Sequence, residues 1–571
     1  MASNRVRTLS SIPLDESTSQ HTDSRNAEQS PPQQQPTQDN SNNNNNNNSN
    51  PMPDFNDAEA AYESKTNPEL IRAMLSFGLC QIPILVRYSE RLLKLGRKIV
   101  GDTITDGILK QTLFGHFCAG EDEKQILPAI HKLEKAGIGS ILDFAAEDDG
   151  EGDDGDDGDR SKKEKIADEI IQDKSPKVRV YDYESEAKCD RHVETFHKCI
   201  RDVADLGKDG YAAIKVTALT NPKLLERMSR AIVEAQNLFA KFDENGDGIV
   251  TKDEFKHGFN LFFKGEDAML NDALDHLQLA DGSVDYITWS MLLTPSDLPR
   301  LTAGCREVGP LSLAAPTDEE IELMERMFER GHELARQAAE VGTRLLIDAE
   351  QARFQPAIDN FVLNLQRTYN ATGVSEFPVI YNTYQCYLKD VPDRLRTDVE
   401  RSERFDYHFG AKLVRGAYME SERALAKSLG FPSPIQDTIQ DTHDCYNNSV
   451  DFLLKHAIQS DKTCELMLAT HNQESIEKAI HSMNEHGVNR KDPTICFGQL
   501  FGMSDNLTFN LGRHGYRAYK YVPYGEVKMV MPYLIRRANE NSSIASGAAQ
   551  ELRMIQNELK RRVRGRRTVA G

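Results

Sequence analysis

The sequence predicts an α/β protein built on a (β/α)8 TIM-type barrel, with an inserted EF-hand pair and a disordered N-terminal tail. Eight short apolar runs alternate with amphipathic helical patterns, which is typical of parallel strands joined by helices. Polar residues close most of these runs, and a twelve-residue acidic loop pattern lies between the second and third runs. A doubly wound sheet shows the same alternation and is the alternative to the barrel.

Eight apolar runs are the candidate strands, and the segments between them contain helical patterns. The clearest helical pattern spans 319–342, where apolar residues recur at three- and four-residue spacing. The candidate strands are SILDFAA (140–146), AAIKVTA (212–218), RLLIDAE (344–350), PVIYNTYQCY (378–387), GAKLVRGAY (410–418), ELMLATHN (465–472), TICFGQL (494–500) and RAYKYVPYG (517–525).

Polar residues in the second half of these runs indicate where a site lies. Both faces of a parallel strand are normally covered, so a charge there costs free energy unless it is paired or used. The C-terminal rim of a barrel is where such groups are tolerated and where active sites lie. A charged loop residue is the alternative for any one of them. The residues are Lys215, Asp348, Gln385, Arg415, His471 and Gln499.

The acidic loop between the second and third runs matches the EF-hand pattern at each ligand position. Gly248 permits the sharp turn, and helical patterns flank the loop. The pattern predicts a Ca²⁺ or Mg²⁺ site, with a relic loop that keeps the fold without metal as the alternative. A second loop at 277–288 lacks the oxygen ligands, so it is expected to pair with the first and bind no ion. The expected ligands are Asp243, Asn245, Asp247, Ile249 through its carbonyl, Thr251 through water, and Glu254 with both oxygens.

Length and composition limit the class of protein. The chain has 571 residues, too many for one compact domain, and 69 Lys and Arg against 89 Asp and Glu give a net charge of −20. This acidity disfavours nucleic-acid binding, which depends on basic residues. Nine Cys occur without a C-x-x-C pair, which indicates neither a disulfide framework nor a zinc ribbon and favours a reducing compartment. No apolar stretch reaches ~18 residues, so no transmembrane helix is predicted.

The domain organisation follows from shifts in composition. The Gln- and Asn-rich start is too polar to fold and is predicted to be disordered, either as a weak presequence or as a plain tail. The run from Glu147 to Asp159 has nine acidic and no basic residues and predicts a solvated loop. The predicted units are the tail (1–55), an N-terminal helical segment (56–136), the barrel (137–227 and 300–550), the acidic disordered loop (147–175), the EF-hand insertion (228–299) and a basic C-terminal helix or tail (551–571).

Eight motifs in one order carry a resemblance to a known family. They are IKVTAL (214–219), LIDAEQ (346–351), YNTYQCY (381–387), AKLVRGAYMESER (411–423), ATHN (469–472), FGQLFGM (497–503), YVPYG (521–525) and PYLIRRANEN (532–541). This ordered series resembles the proline dehydrogenases, FAD-dependent barrel enzymes of proline catabolism. It covers most of residues 120–545, and the motifs and insertion are similar to the animal mitochondrial enzymes.

The resemblance implies an activity and a location. The expected reaction is oxidation of L-proline to Δ1-pyrroline-5-carboxylate by hydride transfer to FAD, with the electrons passed on to a quinone. The expected location is the matrix side of the mitochondrial inner membrane. Two segments are candidates for peripheral membrane contact, the apolar run 77–86 and the basic run 560–567. A core helix and a solvated helix end are their respective alternatives.

The resemblance also assigns residue roles. Adjacent guanidinium groups suit a small carboxylate, a glycine lets the backbone approach a cofactor, and Arg415 or His471 would stabilise a reduced, anionic flavin. Lys215 and Asp348 follow neighbouring strands and are expected to hold each other charged. The implied residues are Asp348, Lys215 and Lys412 as catalytic; Arg536, Arg537, Tyr533, Tyr521, Leu500 and Ala417 for substrate; and Gln385, Lys412, Arg415, Gly416, Ala417, Tyr418, Thr470, His471 and Asn472 for FAD.

Two other functions stay open at this point. Hydroxyproline dehydrogenase is the first, although family members that prefer hydroxyproline carry a smaller residue where this chain has Tyr521. A Ca²⁺-responsive binding protein on an inactive barrel is the second. The presence of Lys215, Asp348, Arg536 and Arg537 speaks against an inactive site.

Overall fold

The computed structural model describes residues 50–144 and 186–569, apart from 83, 86–87, 208–209, 265–269, 272–273, 276–281 and 544. The predicted acidic loop at 147–175 and the first 49 residues of the predicted tail lie outside the described residues.

The elements follow one another in chain order as helices, strands and the connections between them. Six helices precede the barrel: α1 (Ala58–Tyr62), α2 (Asn67–Cys80), α3 (Ser89–Val100), α4 (Asp102–Gln111), α5 (Leu113–Phe117) and α6 (Glu123–Lys135). The next part holds β1 (Ile138–Phe144), α7 (Glu186–Leu206), β2 (Tyr211–Ile214), α8 (Pro222–Phe242), β3 (Ile249–Thr251), α9 (Lys252–Phe262), β4 (Ser283–Asp285), α10 (Tyr286–Leu292), α11 (Leu298–Thr302), α12 (Pro310–Ala314) and α13 (Asp318–Val341). The last part holds β5 (Arg344–Ile347), α14 (Gln355–Tyr369), β6 (Ile380–Gln385), α15 (Val391–Arg404), β7 (Phe409–Val414), α16 (Met419–Leu429), α17 (Ile439–Gln459), β8 (Cys464–Ala469), α18 (Gln473–Glu485), β9 (Ile495–Leu500), α19 (Asp505–Arg513), β10 (Ala518–Tyr524), α20 (Met531–Ser543) and α21 (Ala545–Val569).

Eight parallel strands close a barrel in the order β1-β10-β9-β8-β7-β6-β5-β2. The barrel prediction is confirmed, and each predicted strand overlaps an observed one. The strands end earlier than expected: β2 stops at Ile214 and β5 at Ile347, just before Lys215 and Asp348. Lys215 and Asp348 therefore begin rim loops, whereas Gln385 and Gln499 lie within β6 and β9 as predicted.

The barrel interior is filled by side chains, as the near-continuous apolar runs require. A buried ion pair lies at the N-terminal end, where Arg344 Nε is 3.0 Å from Glu465 Oε2, and the Tyr381 hydroxyl donates to the same carboxylate. The interior residues above the pair are Ile141, Tyr211, Ala213, Leu346, Tyr381, Met467, Cys496 and Tyr519.

The helices begin and end where the local sequence dictates. In α13, the Thr317 side chain accepts from the Glu320 amide and the Glu320 side chain accepts from the Thr317 amide, which is a capping box. The helix ends at Gly342, whose φ of 72° is a left-handed conformation that glycine adopts without steric cost. The predicted pattern at 319–342 is confirmed as this helix.

The chain before the barrel packs more closely than expected. The predicted tail extends to residue 55, but the Asn50 side chain is hydrogen-bonded to the rest of the protein. Its Nδ2 donates to the Val488 carbonyl oxygen at 2.8 Å, and its Oδ1 accepts from the Arg490 amide at 2.8 Å. Phe55 lies in the core. This part of the prediction is wrong for residues 50–55, because one apolar anchor and one bonded amide are enough to hold a polar segment.

The insertion between β2 and β5 forms its own small core. Its strands β3 and β4 pair antiparallel, with Val250 opposite Val284. Trp289 packs against Phe242 and donates 3.1 Å to the Ala235 carbonyl of α8. The paired strands agree with two loops lying side by side, while the identity of the pair as EF-hands stays a prediction. Residues 276–281 of the second loop lie outside the described residues.

Candidate active site

Asp348 lies at the centre of a cluster on the C-terminal rim. Its carboxylate Oδ1 is 2.5 Å from Lys412 Nζ, and its Oδ2 accepts a 2.8 Å hydrogen bond from the Tyr521 hydroxyl. The Lys412 ammonium also lies 5.3 Å from the centroid of the Tyr521 ring. Burial, with the nearby Asp143 and Asp348 charges, raises the pKa of Tyr521 well above its ordinary value, so the phenol stays a donor.

Lys412 and Lys215 lie in or just after strands close to β5, the strand that ends just before Asp348. Lys412 is buried in β7 and pairs with Asp348 directly. Lys215 follows β2, the neighbour of β5, and the Asp348 amide donates 2.9 Å to the carbonyl of Ile214. Lys215 lies close enough to Glu350 for its positive charge to oppose the rise in the pKa of that carboxyl. The partners described for the Asp348 carboxylate are thus Lys412 and Tyr521.

Glu350 is a second acid of the rim, and the sequence reasoning missed it. Its carboxylate accepts 3.1 Å from the Thr217 amide and 2.7 Å from the Thr217 hydroxyl. Burial raises its pKa to about 7, and the Asp348 charge acts in the same direction. The only sequence signal was its position two residues after Asp348 in a rim loop.

Gln385 and Arg415 close neighbouring strands and leave polar atoms directed at no described partner. Gln385 Nε2 donates 2.7 Å to the Glu350 carbonyl, and Arg415 Nη1 donates 2.8 Å to Thr470 Oγ1. Among the described residues, Gln385 Oε1 and Arg415 Nε are buried without a hydrogen-bond partner. Such atoms are costly unless a bound group satisfies them. Arg415 is held in place by the ring of Tyr446, 4.1 Å below its guanidinium.

The loop after β7 brings backbone close to these atoms. A Cβ on Gly416 would lie 2.5 Å from Met419 Sδ, so a side chain is excluded unless the methionine moves. Ala417 is exposed, and Tyr418 accepts from the Glu422 amide at 3.0 Å at the start of α16. In this loop Gly416 is thus confined by Met419, whereas Ala417 is open to solvent.

His471 is neutral and holds the end of β9. Its Nε2 accepts 3.1 Å from the Leu500 amide, which places the proton on Nδ1. Burial lowers the pKa of His471 to about 3, and the positive charges of Lys520 and Arg537 act in the same direction. Arg415 and His471 are the two groups expected to stabilise an anionic flavin. Since His471 is neutral, Arg415 is the one of the two that carries a positive charge.

Thr470 and Asn472 complete the β8 end of the rim. Thr470 Oγ1 accepts from the Asn472 amide at 3.1 Å, and Asn472 Oδ1 accepts from the Ser475 amide at 2.9 Å. Asn472 is thus the N-cap of α18. The cap orients the short loop that carries His471.

Helix α20 carries the predicted carboxylate-binding residues. Tyr533 and Arg537 are four residues apart and so share one face, with the guanidinium 5.0 Å from the Tyr533 ring centroid. Both are buried, and Arg536 is half-buried. The Arg537 charge acts on His471, so this helix lies close enough to the β8 end of the rim for the two sites to interact.

A buried charge network supports the loop after β9, and no sequence pattern indicated it. Lys520 Nζ donates 2.5 Å to the Met503 carbonyl and lies 2.9 Å from Asp505 Oδ1. Glu551 of α21 accepts from the Ser504 and Asp505 amides at 2.9 and 3.1 Å. The network ties the terminal helix to the loop that follows Leu500.

The predicted metal ligands lie in the insertion and are engaged with their own backbone. Asp243 accepts from the Gly246 and Gly248 amides at 2.9 Å each, and Glu254 Oε2 accepts from the Thr251 amide at 2.9 Å. Within the described ranges, no three His, Cys, Asp or Glu side chains are gathered as a metal site.

The chain is similar to known proteins over most of its length. The proline dehydrogenase family model matches residues 126–550. The human protein named proline dehydrogenase 1, mitochondrial, is 36% identical over 90% of each chain. Hydroxyproline dehydrogenase of Bos taurus is 28% identical over 89% of this chain and 93% of its own.

The solved structure of proline utilization A from Bdellovibrio bacteriovorus matches with a TM-score of 0.50 and 15% identity. The match covers 85% of this chain and 38% of that longer one, and it bears on the fold alone. The family model matches residues 126–550, and the human relative is similar over 90% of this chain. The chain therefore belongs to the proline dehydrogenase family.

Proposed function

We propose that this chain is a mitochondrial, FAD-dependent proline dehydrogenase that oxidises L-proline to Δ1-pyrroline-5-carboxylate and passes the electrons to a quinone. The observation that carries the proposal is the cluster of Asp348, Lys412 and Tyr521 on the rim of a barrel of this family. Active sites of such barrels lie at this end.

The residues at the rim fit FAD. Gln385 Oε1 and Arg415 Nε are buried atoms that a cofactor would satisfy, and Ala417 is exposed in the loop that follows Arg415. When bound, FAD supplies the acceptor for the hydride that leaves the ring carbon next to nitrogen. The residues that would hold it are Gln385, Lys412, Arg415, Gly416, Ala417, Tyr418, Thr470, His471 and Asn472.

The remaining chemistry belongs to the chain's own side chains. Arg536 and Arg537 would bind the proline carboxylate, and Tyr533 supports Arg537 through its ring. Leu500, Tyr521 and Ala417 would border the pyrrolidine ring. The ring nitrogen must lose a proton before the hydride leaves, and Asp348 would accept it. Lys412 balances the negative charge of Asp348, and the positive charge of Lys215 opposes the rise in the pKa of Glu350.

Location and electron acceptor are proposed from the relatives. Those at 34–36% identity are named mitochondrial. In the described part of the chain, no helix combines the length and apolar character needed to cross a bilayer. We also propose peripheral contact with the inner membrane. Of the two predicted segments, 77–86 has Phe77 buried and Ile84 exposed. In 560–567, Arg561 and Arg562 bind Glu558 within α21.

We propose that the barrel comprises 137–227 and 300–550, and that the insertion 228–299 binds Ca²⁺. The donor set suits this cation, since Asp243, Asn245, Asp247 and Glu254 offer hard oxygens at the required spacing. Gly246 and Gly248, with φ of 71° and 86°, allow the turn. Binding requires Glu254 to release Thr251, so a loop that keeps its fold without metal is the alternative.

Two other functions remain candidates. Hydroxyproline dehydrogenase is supported by relatives at 28–29% identity, and opposed by the bulk of Tyr521. A Ca²⁺-responsive binding protein on an inactive barrel is opposed by the ordered contacts of Asp348.

The decisive experiment is a visible spectrum of the purified protein, followed by L-proline without oxygen. We expect flavin bands that L-proline bleaches in wild type, while Asp348→Asn keeps the bands and bleaches far more slowly. Bands that respond only to hydroxyproline would favour the first alternative. Failure to bind FAD, even when FAD is added, would favour the second.

A further inference from the structure

Exposed apolar side chains are concentrated in the helices that precede the barrel. Folded proteins seldom expose large contiguous apolar patches unless the patch binds something. Eleven large hydrophobic residues between 71 and 108 are exposed: Ile71, Leu75, Ile82, Ile84, Tyr88, Leu92, Leu95, Ile99, Val100, Ile104 and Ile108.

Six of these residues form one surface, which we call the α3–α4 surface. Along α3, Tyr88, Leu92, Leu95 and Ile99 recur at four, three and four residues and so share one face, with Ile99 70% exposed. On α4, Ile104 and Ile108 are one turn apart and 57% and 58% exposed. All six are too exposed to stabilise the fold by burial.

The opposite faces of both helices already have partners. Leu109 of α4 is buried and Leu93 of α3 packs against the same cluster, together with Leu534 of α20 and the partly buried Leu500. The helices are therefore held to the rest of the protein by faces other than the α3–α4 surface. The shared cluster also places them beside the helix that carries Tyr533.

Basic residues border the apolar stripe. Arg91, Lys94 and Lys98 are exposed, and each precedes a member of the stripe by one residue. The acids of α4 are neutralised, since Asp106 lies 3.0 Å from Arg97 and Asp102 lies 3.0 Å from Lys528. An apolar stripe with a basic border fits an anionic partner better than a second copy of the chain meeting it through the same surface, because the two basic borders would repel each other.

We propose that the α3–α4 surface docks on an anionic lipid bilayer, with both helices lying in the plane of the interface. Interfacial helices have this composition, with apolar side chains reaching the acyl boundary and basic side chains bound to headgroups. The inference deepens the proposed function by naming the surface that brings the site to a membrane acceptor. The docking itself does not depend on catalysis.

The test is co-sedimentation of the full-length, FAD-loaded protein with phosphatidylcholine vesicles, with and without about one-fifth phosphatidylglycerol. We expect binding to the anionic vesicles and at least ~10-fold weaker binding to the neutral ones. Ile99→Asp should weaken binding at least ~10-fold. Its matched control is Ile439→Asp, since Ile439 is 71% exposed on α17, and it should bind like wild type.

A second variant tests the contribution of the basic side chains to membrane binding, separately from that of the apolar stripe. Combined Arg91→Gln, Lys94→Gln and Lys98→Gln should lower affinity for anionic vesicles by roughly 100-fold, since each basic residue near such a surface contributes roughly fivefold. All variants should keep the wild-type melting temperature and their turnover of L-proline with a soluble dye. Loss of L-proline turnover in wild type and in all variants would count against the proposed function. The vesicle-binding measurements would still test the docking proposal in that case.

Three outcomes would overturn the docking proposal. Wild type could stay in the supernatant with both kinds of vesicle, or Ile99→Asp and Ile439→Asp could bind equally. The third is a wild-type dimer in sedimentation velocity that ignores vesicles and that Ile99→Asp converts to monomer, which would assign the surface to a second copy of the chain.

Discussion

The Tyr521 hydroxyl donates a 2.8 Å hydrogen bond to Asp348, although β10 and β5 are separated in the barrel by β1 and β2. Lys412 binds the other oxygen of the same carboxylate. Both oxygens of Asp348 are thus held by residues of distant strands before any ligand arrives. A carboxylate fixed in this way needs little reorganisation when substrate binds.

We expect Asp348→Asn to lower the kcat/KM for L-proline at least ~100-fold, because the amide keeps the volume but accepts no proton. The melting temperature should fall as well, since Asn still accepts from Tyr521 but leaves the buried Lys412 ammonium without its counter-charge. Steady-state turnover with a soluble dye measures the effect. The matched control is Asp437→Asn, which removes an exposed carboxylate paired with Lys389. Near-normal turnover by Asp348→Asn would remove this residue from the chemistry.

Arg537→Met should raise the KM for L-proline by ~100-fold or more, because a charge-assisted hydrogen bond to the substrate carboxylate is lost. Oxidation of pyrrolidine, which has no carboxylate, should be equally slow in the variant and the wild type. The exposed Arg553, changed to Met, is the control. Equal KM values for Arg537→Met and wild type would contradict a carboxylate clamp.

Tyr521→Ser should shift preference toward hydroxyproline by ~10-fold or more in relative kcat/KM, since the smaller side chain leaves room for the added hydroxyl. Tyr521→Phe separates size from hydrogen bonding, because it keeps the ring and removes the bond to Asp348. Competition between the two imino acids measures the preference. The size argument fails if Tyr521→Phe shifts the preference as far as Tyr521→Ser.

The barrel was predictable because its strands alternate with helices and end in polar residues. Lys215, Asp348, Gln385 and Arg415 all lie at strand ends of the rim in the structure. Strand ends were less predictable, since apolar residues such as Val216 continue into the rim loop and form a short 3-10 turn. Local sequence does not distinguish a buried strand from a buried loop.

Partners distant in sequence were not predictable from local patterns. Lys412 binds Asp348 from another strand, and Glu350 is satisfied by Thr217, which is far away in the chain. The contact of Glu551 with the loop after β9 depends on where the terminal helix packs. These pairings are set by tertiary structure, which a single sequence does not display.

Glu350→Gln should make stability less dependent on pH. Burial raises the folded-state pKa of Glu350 to about 7, above its ordinary value. A raised pKa contributes stability that is full below the unfolded pKa and is lost as pH rises through the folded pKa. Wild type should therefore lose as much as about 3 kcal/mol more than the variant between pH ~5 and pH ~8. Melting curves across this range measure it, and parallel curves would contradict the buried neutral acid.

Ca²⁺ should raise the melting temperature of wild type and change the fluorescence of Trp289, the one tryptophan of the chain, which lies in the core of the insertion. Glu254→Gln should lose both effects because it removes the closing bidentate ligand. Glu244→Gln is the control, since Glu244 is exposed in the same loop at a position that binds no ion in this pattern. Equal melting temperature and turnover of wild type and Glu254→Gln, with and without Ca²⁺, would end the proposal.

The pairing of β1 with β10 along its whole length, from Ile138 with Ala518 to Phe144 with Tyr524, sets the order of events during synthesis. The strand that closes the barrel is the last of its eight strands to be synthesised, so the nascent chain carries two open sheet edges until β10 emerges. Open edges pair readily with other chains, and shielding by chaperones therefore matters most in this interval. A chain that stops before β10 lacks Tyr521 and also keeps a permanent template for aggregation.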